Sequence, residues 1–561
     1  MIVGIDLGTT NSLISIYKDG QSEIIPNNLG KLLTPSVVSV DGDEIIVGEL
    51  AQERLITHPE VTVANFKRSM GQDIKYNLGQ RSFTPEELSA LVIKKLIEDA
   101  KTYLNTNIDE AIISVPAYFN DDQRWATKAA GQLAGIKVER IINEPSAAAL
   151  AVHYKHLLEY DEETYIVVDF GGGTLDVSIV EAFDNIIEIV AVAGDNHLGG
   201  ENFNELILRE FLTTNGLEFS ELSLFMQQSL LRKVENCKRQ ITKDEKGIIE
   251  ISLNDDNYCL ELDYQRFFQL SLPLLIKLEK VIYRAIKDAQ NKVDKIDDII
   301  LVGGSCKMPI VQNYLIDVLH KELHVEMNPD LAISLGCGIV AGIKERKSEI
   351  KDIVLSDICP FTLGTEISNG HFYPLIERNT ALPCSRQERF FTVRLGQTNV
   401  NCGIFQGENL MADENLKLGN LEITVPQNMI DNESVLLRFT YDINGILEVD
   451  ALVESTMINY HLTIISKKNR MSEREIELRR RQLQQLKFHP RLTEANRALL
   501  ARGKRLFSES LGSSRQYIAL LIEEFEAALD SQDNRMIKKS YDAVSLQLDL
   551  IEGVDERTLI S

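Results

Sequence analysis

Membrane-spanning runs are missing from this 561-residue sequence, and so is any excess of positive charge. No apolar stretch approaches the length that a bilayer core demands. Met1 leads straight into the apolar run Ile2 to Asp6, leaving no room for a signal peptide, so the expected setting is the cytoplasm, with no membrane partner. Lys and Arg number 59 against 84 Asp and Glu, a formal charge of −25. That balance repels polyanions and argues against nucleic acid as a partner. Seven cysteines, at 237, 259, 306, 337, 359, 384 and 402, are scattered without a C-x-x-C pair, as expected of reduced thiols. There is no Walker A loop and no G-x-G-x-x-G after a strand, which sets aside P-loop NTPases and Rossmann dehydrogenases. His320 and His324 stand at helical spacing, but with no third ligand they read as a solvated helix face rather than a zinc site.

What is present begins with a doubled turn. Asp6-Leu7-Gly8-Thr9-Thr10 returns in expanded form as Asp169-Phe170-Gly171-Gly172-Gly173-Thr174. Each copy follows an apolar run and precedes alternating residues, the pattern of a strand, a tight glycine turn and a returning strand. Glycines let backbone N–H groups approach phosphate oxygens, hydroxyls add donors, and an aspartate at a strand end can hold a hydrated divalent cation. Two such hairpins make a two-sided phosphate clamp.

The texture of the chain changes in sequence order. Up to about residue 350, β-rich runs (Glu110 to Val115, Tyr165 to Asp169, Asp298 to Val302) alternate with helical stretches (Pro85 to Tyr103, Gln265 to Lys287), which predicts α/β. From 359 to 466 the alternation has period two, with Asn444-Gly445 as a hairpin signal, which predicts an antiparallel β-sandwich. From 467 to 561 the period becomes helical. Between the first two units, residues 351–358 form an apolar segment bracketed by aspartates, unlike an ordinary linker. It reads either as an edge strand of the sandwich or as a linker that docks in one state and is released in another. Residues 467 to 505 carry thirteen Lys or Arg against four Glu, including Arg479-Arg480-Arg481, inside an otherwise acidic chain. This segment fits a helix docked on an acidic domain, or selection of acidic clients; His489-Pro490 interrupts it.

These residues resemble a known family. Gly4-Ile5-Asp6-Leu7-Gly8-Thr9-Thr10-Asn11-Ser12, Val115-Pro116-Ala117-Tyr118-Phe119, Ile142-Asn143-Glu144-Pro145-Ser146-Ala147-Ala148-Ala149, His197-Leu198-Gly199-Gly200-Glu201 and Leu301-Val302-Gly303-Gly304-Ser305 are similar to motifs of the heat-shock protein 70, or DnaK, family. The resemblance runs from residue 1 to about 470, and Ser356-Asp357-Ile358-Cys359-Pro360 brings it nearest to the HscC branch. It implies an actin-like (ribonuclease H-like) ATPase domain over 1–350, a linker over 351–358, a β-sandwich peptide-binding domain over 359–466 and a short helical lid over 467–561. The implied activity is ATP hydrolysis that gates the binding of extended apolar segments of unfolded or partly folded clients. A J-domain cochaperone would stimulate it, and a nucleotide exchange factor is a further implied partner. The rival readings are a passive holdase or exchange-factor relative that binds ATP without cycling, and an actin-like filament or sugar kinase; a sandwich after residue 350 speaks against the last two.

The resemblance also assigns roles. Asp6, Asp169 and Glu144 would hold Mg²⁺ through its waters, and Thr174 and Asp176 would help seat K⁺. Lys67 matches the lysine that reaches the γ-phosphate and the attacking water. ATP or ADP would be held by Gly8, Thr9, Thr10 and Asn11, by Gly171, Gly172, Gly173 and Thr174, and by Gly199, Gly200 and Glu201. Glu235, Lys238, Arg239 and Thr242 would surround the ribose and adenine, with Gly303, Gly304, Ser305, Lys307 and Asp330 closing the base pocket. Lys307 stands where many relatives have a stacking arginine, which predicts looser nucleotide binding. Pro116 and Arg124 would relay nucleotide state toward Ile353, Val354 and Leu355, beside a J-domain surface at Arg140 and Asn143. Ile367, Phe390, Val393, Val400 and Cys402 would line the peptide cavity.

Overall fold

A computed structural model describes the chain except for residues 43, 157–161, 184, 254–255, 290–295, 322, 324–327, 444–446, 464–486, 489–490, 511, 531–533 and 553–561. The Asn444-Gly445 turn, His324, the Arg479-Arg480-Arg481 triplet and His489-Pro490 therefore lie outside the described residues.

The first 350 residues build two sheets with the same plan. In the first, the strand order is Ile141–Asn143, Glu110–Val115, Ile2–Asp6, Asn11–Lys18, Gln21–Ile24. Ile2–Asp6 runs parallel to Glu110–Val115 and antiparallel to Asn11–Lys18, so the first glycine turn is the bend between two central strands. In the second, the order is Asp298–Val302, Glu162–Phe170, Leu175–Phe183, Ile186–Asp195, Val354–Ser356. Here too the hairpin is antiparallel, with a parallel strand against its first arm. The parallel strands Glu110–Val115 and Asp298–Val302 are buried on both faces and hence rich in Val and Ile rather than alternating. Helices cover the faces; Pro85–Leu104 starts on a Thr84/Glu87 capping box with Pro at its first position, which fixes its register. One core lies in each half, and a third, with Ala147, Val167, Val302 and Val340, joins them.

The second unit is a pair of four-stranded antiparallel sheets. One has the order Phe372–Ile376, Leu363–Glu366, Asn399–Gln406, Leu416–Thr424, the other Cys384–Phe391, Ser434–Tyr441, Leu447–Val453, Ile458–Thr463. Ile404, Phe439 and Val449 meet in the shared core. The C-terminal helices Arg491–Glu509, Gly512–Asp530 and Asn534–Glu552 close around Ile518, Phe525 and Leu548.

The linker does not become an edge strand of the sandwich. Val354–Ser356 pairs in parallel with Ile186–Glu188, extending the second of the two sheets. Ahead of the C-terminal helices, where a helix was expected, Lys487–Phe488 is a short strand parallel to Glu44–Ile45.

The units are docked. Tyr441 Oη donates to Asp121 Oδ1 at 3.0 Å, and Arg378 grips both Asp288 oxygens at 2.5 and 2.7 Å. Phe361 meets Tyr118 edge-on at 4.4 Å. On the other side, Ala498 and Ala501 pack against Leu50 and Ala51 of helix Glu49–Thr57.

Candidate functional site between the glycine hairpins

The two hairpins face each other closely. A Cβ on Gly172 would sit 2.6 Å from Thr10 Oγ1, so a side chain there would force the Thr10 hydroxyl aside. Gly303 has φ +82°, and a Cβ there would strike the Phe170 carbonyl at 2.6 Å, which brings the Gly303-Gly304 turn against the second hairpin. Ser305 Oγ donates to the Gly171 carbonyl at 2.8 Å. The Gly199-Gly200-Glu201 helix start is fastened to the same turn: Gly200 N–H donates to Gly171 O at 3.0 Å and Glu201 N–H to Gly172 O at 2.9 Å. Helix Gly200–Asn215 thus begins at the second hairpin, where its N-terminal dipole favours an anion.

Four carboxylates and a lysine converge beneath the turns. Lys67 Nζ bonds Glu144 Oε1 at 2.9 Å, both side chains buried. Asp6 accepts from Ser114 Oγ at 3.0 Å, and Asp176 from the Tyr118 N–H at 3.3 Å. Burial, then the charge of Glu144, pushes Asp6 and Asp176 up to about 7. Asp169 is raised well above the usual carboxylate range by the same two causes in the same order. One buried oxygen each of Asp169 and Asp176 has no hydrogen-bond partner. Crowded anions with open lone pairs fit a bound cation, which would supply the missing positive charge; oxygen donors suit Mg²⁺ or K⁺. Among the described residues no group of three such side chains is arranged to ligate a metal directly.

The flank is built on helix Leu224–Asp244. Glu235 bonds Lys238 at 2.7 Å and Arg239 at 2.9 Å and accepts from Asn204 at 2.8 Å. Burial alone would raise Glu235, but Lys238 and Arg239 pull it down to about 2. Lys238 Nζ also reaches the Gly200 carbonyl at 3.2 Å, linking this helix to the hairpin. The Thr242 hydroxyl instead donates to the Lys238 carbonyl at 3.0 Å. Lys307 is held by Asp330 at 2.6 Å beside Gly304. Thr9 and Asn11 flank the first turn, and Asn11 opens its returning strand.

Pro116 and Arg124 frame a loop rather than a surface. Arg124 is buried and donates to the carbonyls of Phe119 and Ala117 at 3.0 Å each and to Asn143 Oδ1 at 2.6 Å. Asn143 is therefore buried, not part of an exposed patch, while Arg140 faces the linker residue Asp357. Asp357 also accepts from Ser146 Oγ at 3.2 Å. Ile353 is buried, Leu355 half-buried in the core that joins the two halves, and Val354 is 55% exposed.

In the sandwich, Phe390, Val400 and Cys402 belong to one apolar cluster, and Phe390 meets Tyr373 edge-on at 5.5 Å. Ile367 and Val393 stand outside it, Val393 being 72% exposed. Thr365, expected to alter client preference because it replaces an apolar or glycine residue of relatives, bonds Cys402 Sγ at 3.2 Å and the Gly403 carbonyl at 2.8 Å. Ser114 and Tyr118 are not singled out by the sequence; Ser114 is detectable as a polar residue inside the buried strand Glu110–Val115.

The chain matches the family model described as Hsp70 protein over residues 2–547. It is 41% identical over 465 residues to the chaperone protein DnaK of Thermotoga neapolitana, an alignment covering 80% of this chain and 78% of that protein. The glycine clamp, the sandwich beyond it and these matches agree: the chain belongs to the Hsp70 family, as an ATP-hydrolysing molecular chaperone.

Proposed function

We propose that ATP is bound and hydrolysed between the two hairpins and that the linker strand carries the nucleotide state to the sandwich. The observation that carries this reading is the buried Lys67–Glu144 pair facing carboxylates with open oxygens, framed by glycine turns on two sides. Phosphoryl transfer to water needs charge neutralisation and an oriented nucleophile more than covalent help. Lys67 would reach the γ-phosphate and Glu144 would align water, while Asp6, Asp169 and Glu144 hold hydrated Mg²⁺, with Thr174 and Asp176 seating K⁺. Glu235, Lys238, Arg239 and the Gly303-Gly304 turn would hold the nucleoside. Lys307, committed to Asp330 and lacking a planar guanidinium, would stack on adenine less well than arginine, giving looser binding.

Residues 1–350 would form the ATPase domain, 351–358 the linker, 359–466 the peptide-binding sandwich and 467–561 the lid. Extended apolar segments of unfolded clients would add along the sandwich edge at Ile367, Phe390, Val393, Val400 and Cys402. Because Val354–Ser356 lies in the sheet that carries Asp169 and Asp176, movement of that hairpin reaches the linker through shared strands. A J-domain cochaperone acting near Arg140 and the linker would accelerate hydrolysis, an exchange factor would renew the nucleotide, and the cytoplasm is the expected site of action. Single-turnover ATP hydrolysis, measured with and without an apolar peptide and a J-domain protein, tests this. Acceleration by either supports the cycle; no acceleration by either favours a passive binder.

A further inference from the structure

The strongest cluster of charge outside the clamp lies where three elements meet. Arg505, on helix Arg491–Glu509, is 1% exposed, among the largest fully buried side chains of the chain. Its Nε donates to Glu53 Oε2 at 2.5 Å, its Nη1 to Glu509 at 2.8 Å, and its Nη2 to Glu552. Glu552, the last residue of helix Asn534–Glu552, also accepts from Arg502 at 2.5 Å and from Arg232 at 3.4 Å. Arg232 in turn bonds Glu53 at 3.3 Å.

The addresses of these residues give the cluster its meaning. Glu53 sits on helix Glu49–Thr57, which packs with the Glu44–Val47 sheet in the first half, the side that supplies Lys67. Arg232 sits on helix Leu224–Asp244 in the second half, one turn before Glu235 and two before Lys238 and Arg239. The Arg232–Glu53 pair therefore spans the two sides of the cleft. The C-terminal helices add Arg505 to one side of that pair and Glu552 to the other.

We propose that the docked C-terminal bundle is a staple across the nucleotide cleft, in which Arg505 and Glu552 hold helices Glu49–Thr57 and Leu224–Asp244 together and slow nucleotide release. The inference rests on the reading that the cleft holds nucleotide. Buried ion pairs are little screened by salt, and removing one partner strands the other, so the staple acts as a unit. Undocking of the bundle leaves only Arg232–Glu53 across the gap, and the helix bearing Glu235 gains freedom to swing outward.

The test is release of a fluorescent, non-hydrolysable ATP analogue from the full-length chain, chased with excess ATP. Glu552→Gln is expected to speed release by roughly threefold to tenfold, and Arg505→Lys by less because one cation is retained. Thermal unfolding of each variant confirms that it is folded; Glu552→Gln alters only the last residue of its helix. The double variant Arg232→Gln/Glu552→Gln is expected to release no faster than Arg232→Gln alone, since both changes break the same bridge. Wild-type release rates in Glu552→Gln, or additive effects in the double variant, overturn the staple. Failure of the wild-type chain to bind the analogue overturns the nucleotide reading itself, and the staple with it.

Discussion

In the first half of the ATPase unit the outer edge strand is Gln21–Ile24, joined directly to its neighbour; in the second half Ile186–Asp195 is followed at the edge by a strand from the linker, Val354–Ser356. The two sheets share a plan, yet the segments that lead into the sandwich and those that follow it attach to them differently. The second half takes the linker, while the C-terminal helices pack on Glu49–Thr57 of the first half and reach the second through Glu552 and Arg232. Duplication of a hairpin supplies a clamp; unequal attachment gives its two halves different neighbours.

The comparison breaks hardest at Lys67, which is buried against Glu144 among the carboxylates, whereas Lys238 on the other side is committed to Glu235 and the Gly200 carbonyl. Lys67→Ala is expected to lower the single-turnover hydrolysis rate by roughly 10²–10³-fold, the scale of losing one charge-stabilising group. Retained hydrolysis would place the chemistry on the second hairpin alone.

Next is the linker. Leu355→Asp puts a charge into the core joining the halves, at a cost of about 2 kcal/mol or more. The strand should leave its edge, and peptide should no longer accelerate ATP hydrolysis, while basal turnover persists. Undiminished acceleration in this variant would mean that the signal bypasses the second sheet.

A smaller effect is expected at Tyr441. Tyr441→Phe removes the hydroxyl bonded to Asp121 and weakens docking of the sandwich by about 1 kcal/mol. Trp125, on the same helix as Asp121, reports the change as a shifted peptide-dependent fluorescence midpoint. An unmoved midpoint would show that docking relies on Arg378–Asp288 instead.

The smallest effect compares the halves by pH. Asp6, in the first, and Asp176, in the second, are both pushed to about 7, chiefly by burial. Between roughly pH 4 and 7 the folded chain keeps protons that the unfolded chain has already lost, so metal-free stability falls as pH rises through that window. A bound Mg-nucleotide would offset the cost, so the rise in melting temperature on adding it should be greater at pH 8 than at pH 5, by on the order of a few degrees. Equal rises at the two pH values would exclude a charged-carboxylate cation site.

Local pattern made much of the clamp legible. Strand, glycine turn and strand leave a signature within ten residues, and the period-two sandwich strands and the helix Tyr264–Asp288 announce themselves in the same way. Lys67 is different: it joins Glu144 across 77 positions, and only the family resemblance singled it out. The docking contacts were not legible at all. Arg505 and Glu53, or Tyr441 and Asp121, are ordinary polar residues until folding sets them together across hundreds of positions. The basic segment illustrates the limit: its charge excess was plain, but that Arg497 would meet Asp41 and Glu44 required the fold.

The linker strand has one more consequence. A sheet edge offers unpaired N–H and C=O groups to any extended chain, and proteins commonly guard such edges. While Val354–Ser356 lies beside Ile186–Glu188, that rim is covered. Were it to leave, a short template would be uncovered in a protein that handles unfolded chains, and Glu188, a charge at the rim, is the kind of residue that discourages strangers from settling there.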